Sequence, residues 1–291
     1  SNGGAIAAGS GSVAIVASTI AVNTAGGRGG AVSHEDGQLE IRDSTMKGNQ
    51  ASSDGGALST VAGQIALVGS VISANTSGAN GGGIAASSAT SSVFTLNTTI
   101  SGNTAVSAGG GIYGGNTNIE IEVSTVTLND ANVGGGIGLL ADSNGEELAL
   151  VNSIVAANTA NSAPDFVAPG TPVANLNVSY CLIGDNSGTS LTESSWDAGE
   201  PVADGDGNLI GSGAESVIDP QLSALADNGG DTLTHALLET SPAVDAGDRT
   251  LLPQDEYDVD ADGNVVEFLP ADQRSNPALR VVNNKLDMGA F

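Results

Sequence analysis

The chain has 291 residues, of which 42 are glycine and only 4 Phe, 3 Tyr and 1 Trp are aromatic, so a core must be assembled from small aliphatic side chains in thin layers. Asp plus Glu number 33 against 7 Lys plus Arg, a formal net charge of −26 that repels phosphate backbones and anionic headgroups and excludes nucleic acid as a partner. With 14% charged and 40% hydrophobic residues the chain is no acidic disordered tail, and it has no apolar run long enough to span a membrane.

The sequence opens in mid-pattern at SNGG, as expected of an excised fragment whose export signal lies upstream. A Gly-Gly-small-aliphatic tetrad then recurs, ending at Ile6, Val32, Leu58, Ile84, Ile112 and Ile137 with spacings of 26, 26, 26, 28 and 25 residues. In step with it, an alternating strand begins at Val13, Leu39, Ile65, Val93, Ile119, Leu148 and Leu176. A third mark, Ser/Thr-x-aliphatic-x-x-Asn, places asparagines at Asn23, Asn49, Asn75, Asn103, Asn129, Asn158 and Asn186. Three strands per turn with a period near 26 predict an all-β fold, a right-handed single-stranded parallel β-helix of about seven or eight coils.

Asparagine tolerates a left-handed backbone at a corner, and its amide can donate to one neighbouring coil while accepting from the other, so the Asn column predicts a stacked ladder. The paired glycines predict a second corner with positive φ and no room for a Cβ. In coil four Phe94 and Leu96 fall one place later than the aliphatics of other coils, which predicts a one-residue bulge. Cys181 lies in a repeat strand and is expected as a small buried apolar residue. Thr19, Thr45, Thr99 and Thr125 form an outward column broken by Val71; sheet propensity accounts for them without an ordered-water ligand. Loops at 143 to 147 and 161 to 172 leave the wall where binding surfaces tend to sit.

Residues 1–190 are thus the coils, and 191–291, which carry 20 of the 33 acids, are a last coil and an acidic cap shielding the end of the stack. GNLIG at 207 to 211, DPQLSALADNGGDTLTHALLETSPAVDAGD at 219 to 248, DQR at 272 to 274 and DMGAF at 287 to 291 resemble the end of the choice-of-anchor Q family of bacterial β-helix proteins. That resemblance implies export and a secreted or cell-surface location. It implies no reaction. Similar proteins usually continue beyond the residue that corresponds to Phe291.

Two groups of residues carry chemical expectations. Arg28, His34, Asp36, Arg42 and Asp43, with Glu35 and Lys47, gather acids and bases in coil two, either a solvated face of paired charges or a ligand patch. In DVDADGNVVE, Asp258, Asp260 and Asp262 alternate before Gly263 and Asn264 as in the first half of an EF-hand loop, with Glu267 as the nearest later acid; Ca2+ is the expected ion. The similar DGDGN at 204 to 208 overlaps the family signature. His235 is expected to make a structural hydrogen bond. The resulting reading is a non-catalytic extracellular module, structural or adhesive, with glycans, extracellular matrix or sister subunits as partners. The alternatives are a polysaccharide lyase or glycoside hydrolase centred on coil two, and a subunit of a self-assembling filament.

Overall fold

In the computed structural model the described residues are 1–140, 146–168, 175–213, 216–274 and 279–291. They form a parallel β-solenoid of seven coils with part of an eighth. Four sheets run along its axis, of seven, seven, eight and six strands. The sequence pattern foretells three strands per coil; the fourth, after the Asn corner, has two residues in coils one to four and four in the next two, too short to carry an alternation of its own. Coil two supplies Val32–Asp36 to the first face, Gln38–Arg42 to the second, Thr45–Lys47 to the third and Gln50–Ala51 to the fourth. The tetrad aliphatics stack in register from Ile6 through Val32, Leu58, Ile84, Ile112 and Ile137 to Phe166.

The interior is one continuous aliphatic column, containing Leu39, Ile41, Met46, Leu67 and Ile100, all fully buried. At about 1.5–3 kcal/mol for each large aliphatic taken out of water, this column is the main source of stability. Coil four contains no bulge: Ile65, Ala66, Leu67 and Val68 pair in unbroken succession with Val93, Phe94, Thr95 and Leu96. The two extra residues of the longer spacing lie in the turn before that strand, around Ser88–Ser91. Thr95 therefore points inward, fully buried, and Phe94 and Leu96 point outward for a reason given below.

The first glycine of each tetrad has positive φ, and a Cβ on the second would lie 2.0 Å from the carbonyl oxygen of the next coil at Gly30 and Gly56. The asparagines are not the left-handed residues. Positive φ falls one position earlier, at Val22, Gly48, Ala74, Gly102, Leu128 and Ala157, so the asparagine is there for its amide alone. Each Nδ2 donates to the Oδ1 of the next coil at 2.9–3.0 Å, from Asn23 to Asn49, Asn75, Asn103, Asn129 and Asn158 in turn. From Asn49 onward the same Nδ2 also reaches a carbonyl oxygen of the preceding coil.

Asn186 does not continue the ladder; its amide donates to the Leu191 carbonyl. The seventh rung is Asp165, whose Oδ1 accepts from both the backbone and side-chain nitrogens of Asn158, while Oδ2 accepts from the Asp185 N–H. A terminal rung that receives hydrogen bonds on both sides must offer two oxygens, which a carboxyl group has and an amide has not. Burial pushes the Asp165 carboxyl up to about 7 despite the donors facing it.

A second ladder of side chains runs along the corner between the second and third faces. Ser44 Oγ accepts from Ser18 N, Ser70 Oγ from Ser44 N, Ser124 Oγ from Thr98 N and Ser153 Oγ from Ser124 N. Cys181 is the next rung: its Sγ accepts from Ser153 N and donates to the Ser179 carbonyl, so it stands in for a serine as well as filling space. Asn208 Oδ1 then accepts from Cys181 N.

After Leu209–Ile210, which adds an eighth strand to the third face, the chain stops coiling. At that end of the stack Leu191 packs against the core and Ser194 N donates to the Ile210 carbonyl. Residues 219–274 and 279–291 return along the side as a strap over the second and third faces, reaching coil two, where Arg42 donates to the Tyr257 carbonyl. The outward Thr column is consequently no open surface: Thr99 and Thr125 are buried and bonded to Gln273 and Ala290, whereas Thr19 in coil one is exposed.

Candidate functional site

Coil two does not assemble its charges. Arg28 lies at the glycine corner and pairs with Asp54 at 3.5 Å. His34 belongs to the first face and points inward, 1% exposed, with Nε2 hydrogen-bonded to the Gly11 carbonyl at 3.0 Å. Asp36 ends the same strand, exposed to solvent. Arg42 is on the second face, paired with Glu40 at 2.7 Å. Asp43 holds the next corner with φ 49°, its carboxyl raised by burial and by Asp231 of the strap, against the opposing pull of Arg42. The expected ligand patch is thus spread around the girth of the coil, and its one histidine belongs to the interior.

The strap carries most of the remaining polar chemistry. Gln273 is its central anchor: Nε2 donates to the Ser70 carbonyl at 3.1 Å and to Thr232 Oγ1 at 2.9 Å, and Oε1 accepts from Thr99. His235 bridges Ser101 Oγ at Nε2 and the Ser223 carbonyl at Nδ1, which fixes the proton on Nδ1; burial holds its pKa below the ordinary value. Asn97 donates to the Ala271 carbonyl and Asn152 to that of Asp248, so two corner residues of the coils are spent on the strap. Gly289 N–H returns a bond to Asn152, and a Cβ on Gly289 would meet Thr125 Oγ1 at 2.7 Å. Beneath these bonds Val68, Leu96 and Val123 pack against Leu252, Leu269 and Leu286, and the Phe94 ring stacks on Tyr257 with centroids 6.4 Å apart. Phe94 and Leu96 break the expected pattern because they face the strap.

The acidic loop hangs from the same strap. Asp255, Asp258 and Asp260 bring one carboxylate oxygen each within 4.8 Å of one another, and Asp260, Asp262 and Glu267 do the same, so Asp260 is common to both sets. Asn264, in the same loop, accepts at its Oδ1 from Val266 N. Asp255, not singled out by the alternating pattern, joins the carboxylates, fully buried and held by the Val259 N–H. Its carboxyl is raised by burial first, then by Asp260, Asp258 and Asp262, and Glu267 is raised likewise, by desolvation and by Asp262 and Asp260. Glu267 Oε1 is enclosed and has no hydrogen-bond partner. An all-oxygen set of carboxylates that repel one another fits a hard divalent cation, and Ca2+ tolerates so irregular a cage better than Mg2+ does. The DGDGN segment forms a self-bonded turn, with Asp204 Oδ1 accepting from Asp206 N and Asn208 N, and gathers no such set among the described residues.

Of the two loops expected to carry binding surfaces, residues 143–145 and 169–172 lie outside the described residues. Fold and site together define an acidic parallel β-solenoid with a strap along its side and a candidate cation loop in the strap. Family models, curated proteins and solved structures were all compared with the chain, and none of them matches it.

Proposed function

We propose that the chain is a non-catalytic extracellular module of a bacterial surface or secreted protein, structural and adhesive in role, whose strap is locked in place by Ca2+. The observation that carries this reading is where the polar groups go. Amides and hydroxyls bond along the axis, coil to coil, and the strap residues bond the coils sideways, so the chain's polar chemistry supports rigidity. The acid–base cluster that a lyase or hydrolase in coil two requires is divided between separate faces. Extracellular location is supported by the resemblance of 207–291 to the choice-of-anchor Q signature. It is also supported by the chemistry of the loop, because loosely built carboxylate cages suit the high Ca2+ of extracellular fluids.

Calorimetric titration of Ca2+ into chelator-treated protein tests the proposal. Binding with a rise in melting temperature, both lost in Asp260→Asn, is expected, since that residue belongs to both carboxylate sets. Absence of heat and of any thermal shift would discard the ion. Release of unsaturated or reducing-end sugars from polysaccharides incubated with the wild-type chain would discard the non-catalytic reading.

A further inference from the structure

The second face has an outer surface that neither ladder nor strap covers completely. Two cavities of about 230 and 210 Å3 lie on it, one on each side of Ser92 and Phe94, which line both, and together they make a two-part trough crossing coils two to six. At about 4.8 Å per rung, five rungs span roughly 19 Å. The trough is built from two register columns. Gln38, Gln64, Ser92 and Asn118 stack on one side. Glu40, Ala66, Phe94, Glu120 and Ala149 stack on the other.

Each column has a distinct chemistry. Gln38 and Gln64 are exposed, and among the described residues their side-chain amides make no hydrogen bond, in contrast to the asparagines at the ladder corner. In the second column the ring of Phe94 stands between the small side chain of Ala66 and the carboxylate of Glu120, with Ala149 one rung beyond Glu120. Tyr257 of the strap, stacked on Phe94, forms one wall. Among the described residues no Lys or Arg lines either cavity, and Arg42, on the same face, is held by Glu40. The carboxylates of Glu40, Glu120 and Glu147 instead give the trough a negative field.

We propose that this trough binds a linear uncharged polysaccharide, one pyranose ring per coil, with a sugar face against Phe94 and hydroxyls on the amides and carboxylates of the columns. The inference deepens the adhesive reading above and rests on it. A repeating polar lining at a constant step suits a repeating polymer. An aromatic ring with a small residue beside it suits the C–H face of a sugar, and free amides with carboxylates suit hydroxyl pairs. The negative field excludes polyuronates and sulfated glycans, and the aromatic ring and uncharged amides favour neutral chains over cationic ones, which the field would hold by charge alone.

Affinity electrophoresis of the full chain in gels containing a soluble β-linked glucan, a neutral mannan, polygalacturonate or chitosan tests the site. The wild type is expected to be retarded by a neutral polymer, with little dependence on salt, and not by polygalacturonate. Phe94→Ala is expected to weaken that retardation about tenfold, and Gln64→Ala, at an exposed position with no packing role, by a smaller factor. Circular dichroism melts establish that both variants are folded, and Gln64→Ala carries the test if Phe94→Ala is not. Retardation by a neutral polymer that neither variant weakens would overturn the trough while leaving the adhesive reading standing. Retardation by chitosan alone, abolished by salt, would overturn the trough as mere charge attraction. No retardation by any polymer would overturn both the trough and glycan adhesion.

Discussion

The coils and the strap are two answers to the same requirement, that every buried polar group find a partner. In the coils the answer is periodic: Asn75 bonds Asn103 as Asn49 bonds Asn75, because the next coil presents the same atoms a fixed distance away. In the strap each bond is singular, Gln273 to Ser70, His235 to Ser101, Ala290 to Thr125, with no repeat behind it. Periodic bonding tolerates change at the first rung, which has one neighbour, and punishes it in the middle, where two neighbours lose partners. Singular bonding makes each contact matter for docking and hardly at all for coiling.

The sharpest break in that comparison comes from the ladder itself. Asn103→Ala leaves the amide and N–H of Asn75 and the Ile72 carbonyl without their partner and removes the donor to Asn129, and is expected to cost about 3 kcal/mol or more. Asn23→Ala in coil one, at a partly exposed rung, is expected to cost under about 1 kcal/mol. Equal losses on denaturant titration would contradict a ladder whose strength depends on neighbours. Next in size is Leu96→Ala, expected to cost about 2 kcal/mol by opening the apolar contact with Leu252, Leu269 and Leu286. Limited proteolysis should then cut within 219–291 while the coils stay intact; cleavage in the coils first would show that the strap is not the weaker unit.

A smaller effect comes from pH. Glu122 is raised to about 7 by burial and by Glu120, and Asp165 to about 7 by burial, so both hold protons in the folded chain that they release when unfolded. Their contribution is complete below the ordinary carboxylate range and is lost as pH rises through about 7. Glu122→Gln should therefore lose less melting temperature than the wild type between about pH 5 and 8. Parallel pH profiles would remove Glu122 from the account. Smallest is a gain: Leu128, 54% exposed at φ 58°, stands at the corner that Gly48 and Gly102 occupy in other coils. Leu128→Gly is expected to stabilise by about 0.5 kcal/mol, measurable by denaturant titration, and a loss would mean the corner is not strained.

The coils were legible in sequence because repetition converts a local signal into a long-range contact: the register of Ile6 on Val32 follows from counting 26 residues. The same logic misplaced what is not periodic. Asp165 replaced Asn186 because the terminal rung needs two oxygens, a condition set by Asp185 and not by spacing. Phe94 and Leu96 looked like a register fault because outward apolar residues make sense only with the strap in place, and nothing in coil four announces it. The strap's anchors fall within the blocks that carry the resemblance, Gln273 in DQR, Met288 and Gly289 in DMGAF and His235 in TLTHALL, but their partners on the coils had no signal. In the acidic loop the alternating carboxylates were visible. Asp255 was not, because the turn that brings it to Asp258 and Asp260 lies outside the pattern.

Two threonines on one column test the lateral strap most directly. In a Cys181→Ser background, which keeps a rung of the corner ladder, Thr19→Cys and Thr99→Cys place single thiols at equivalent positions of the third face. Thiol labelling under native conditions should modify Cys at 19 rapidly and leave Cys at 99 protected until denaturant is added. Equal native labelling at the two positions would mean that the strap does not lie against the coils.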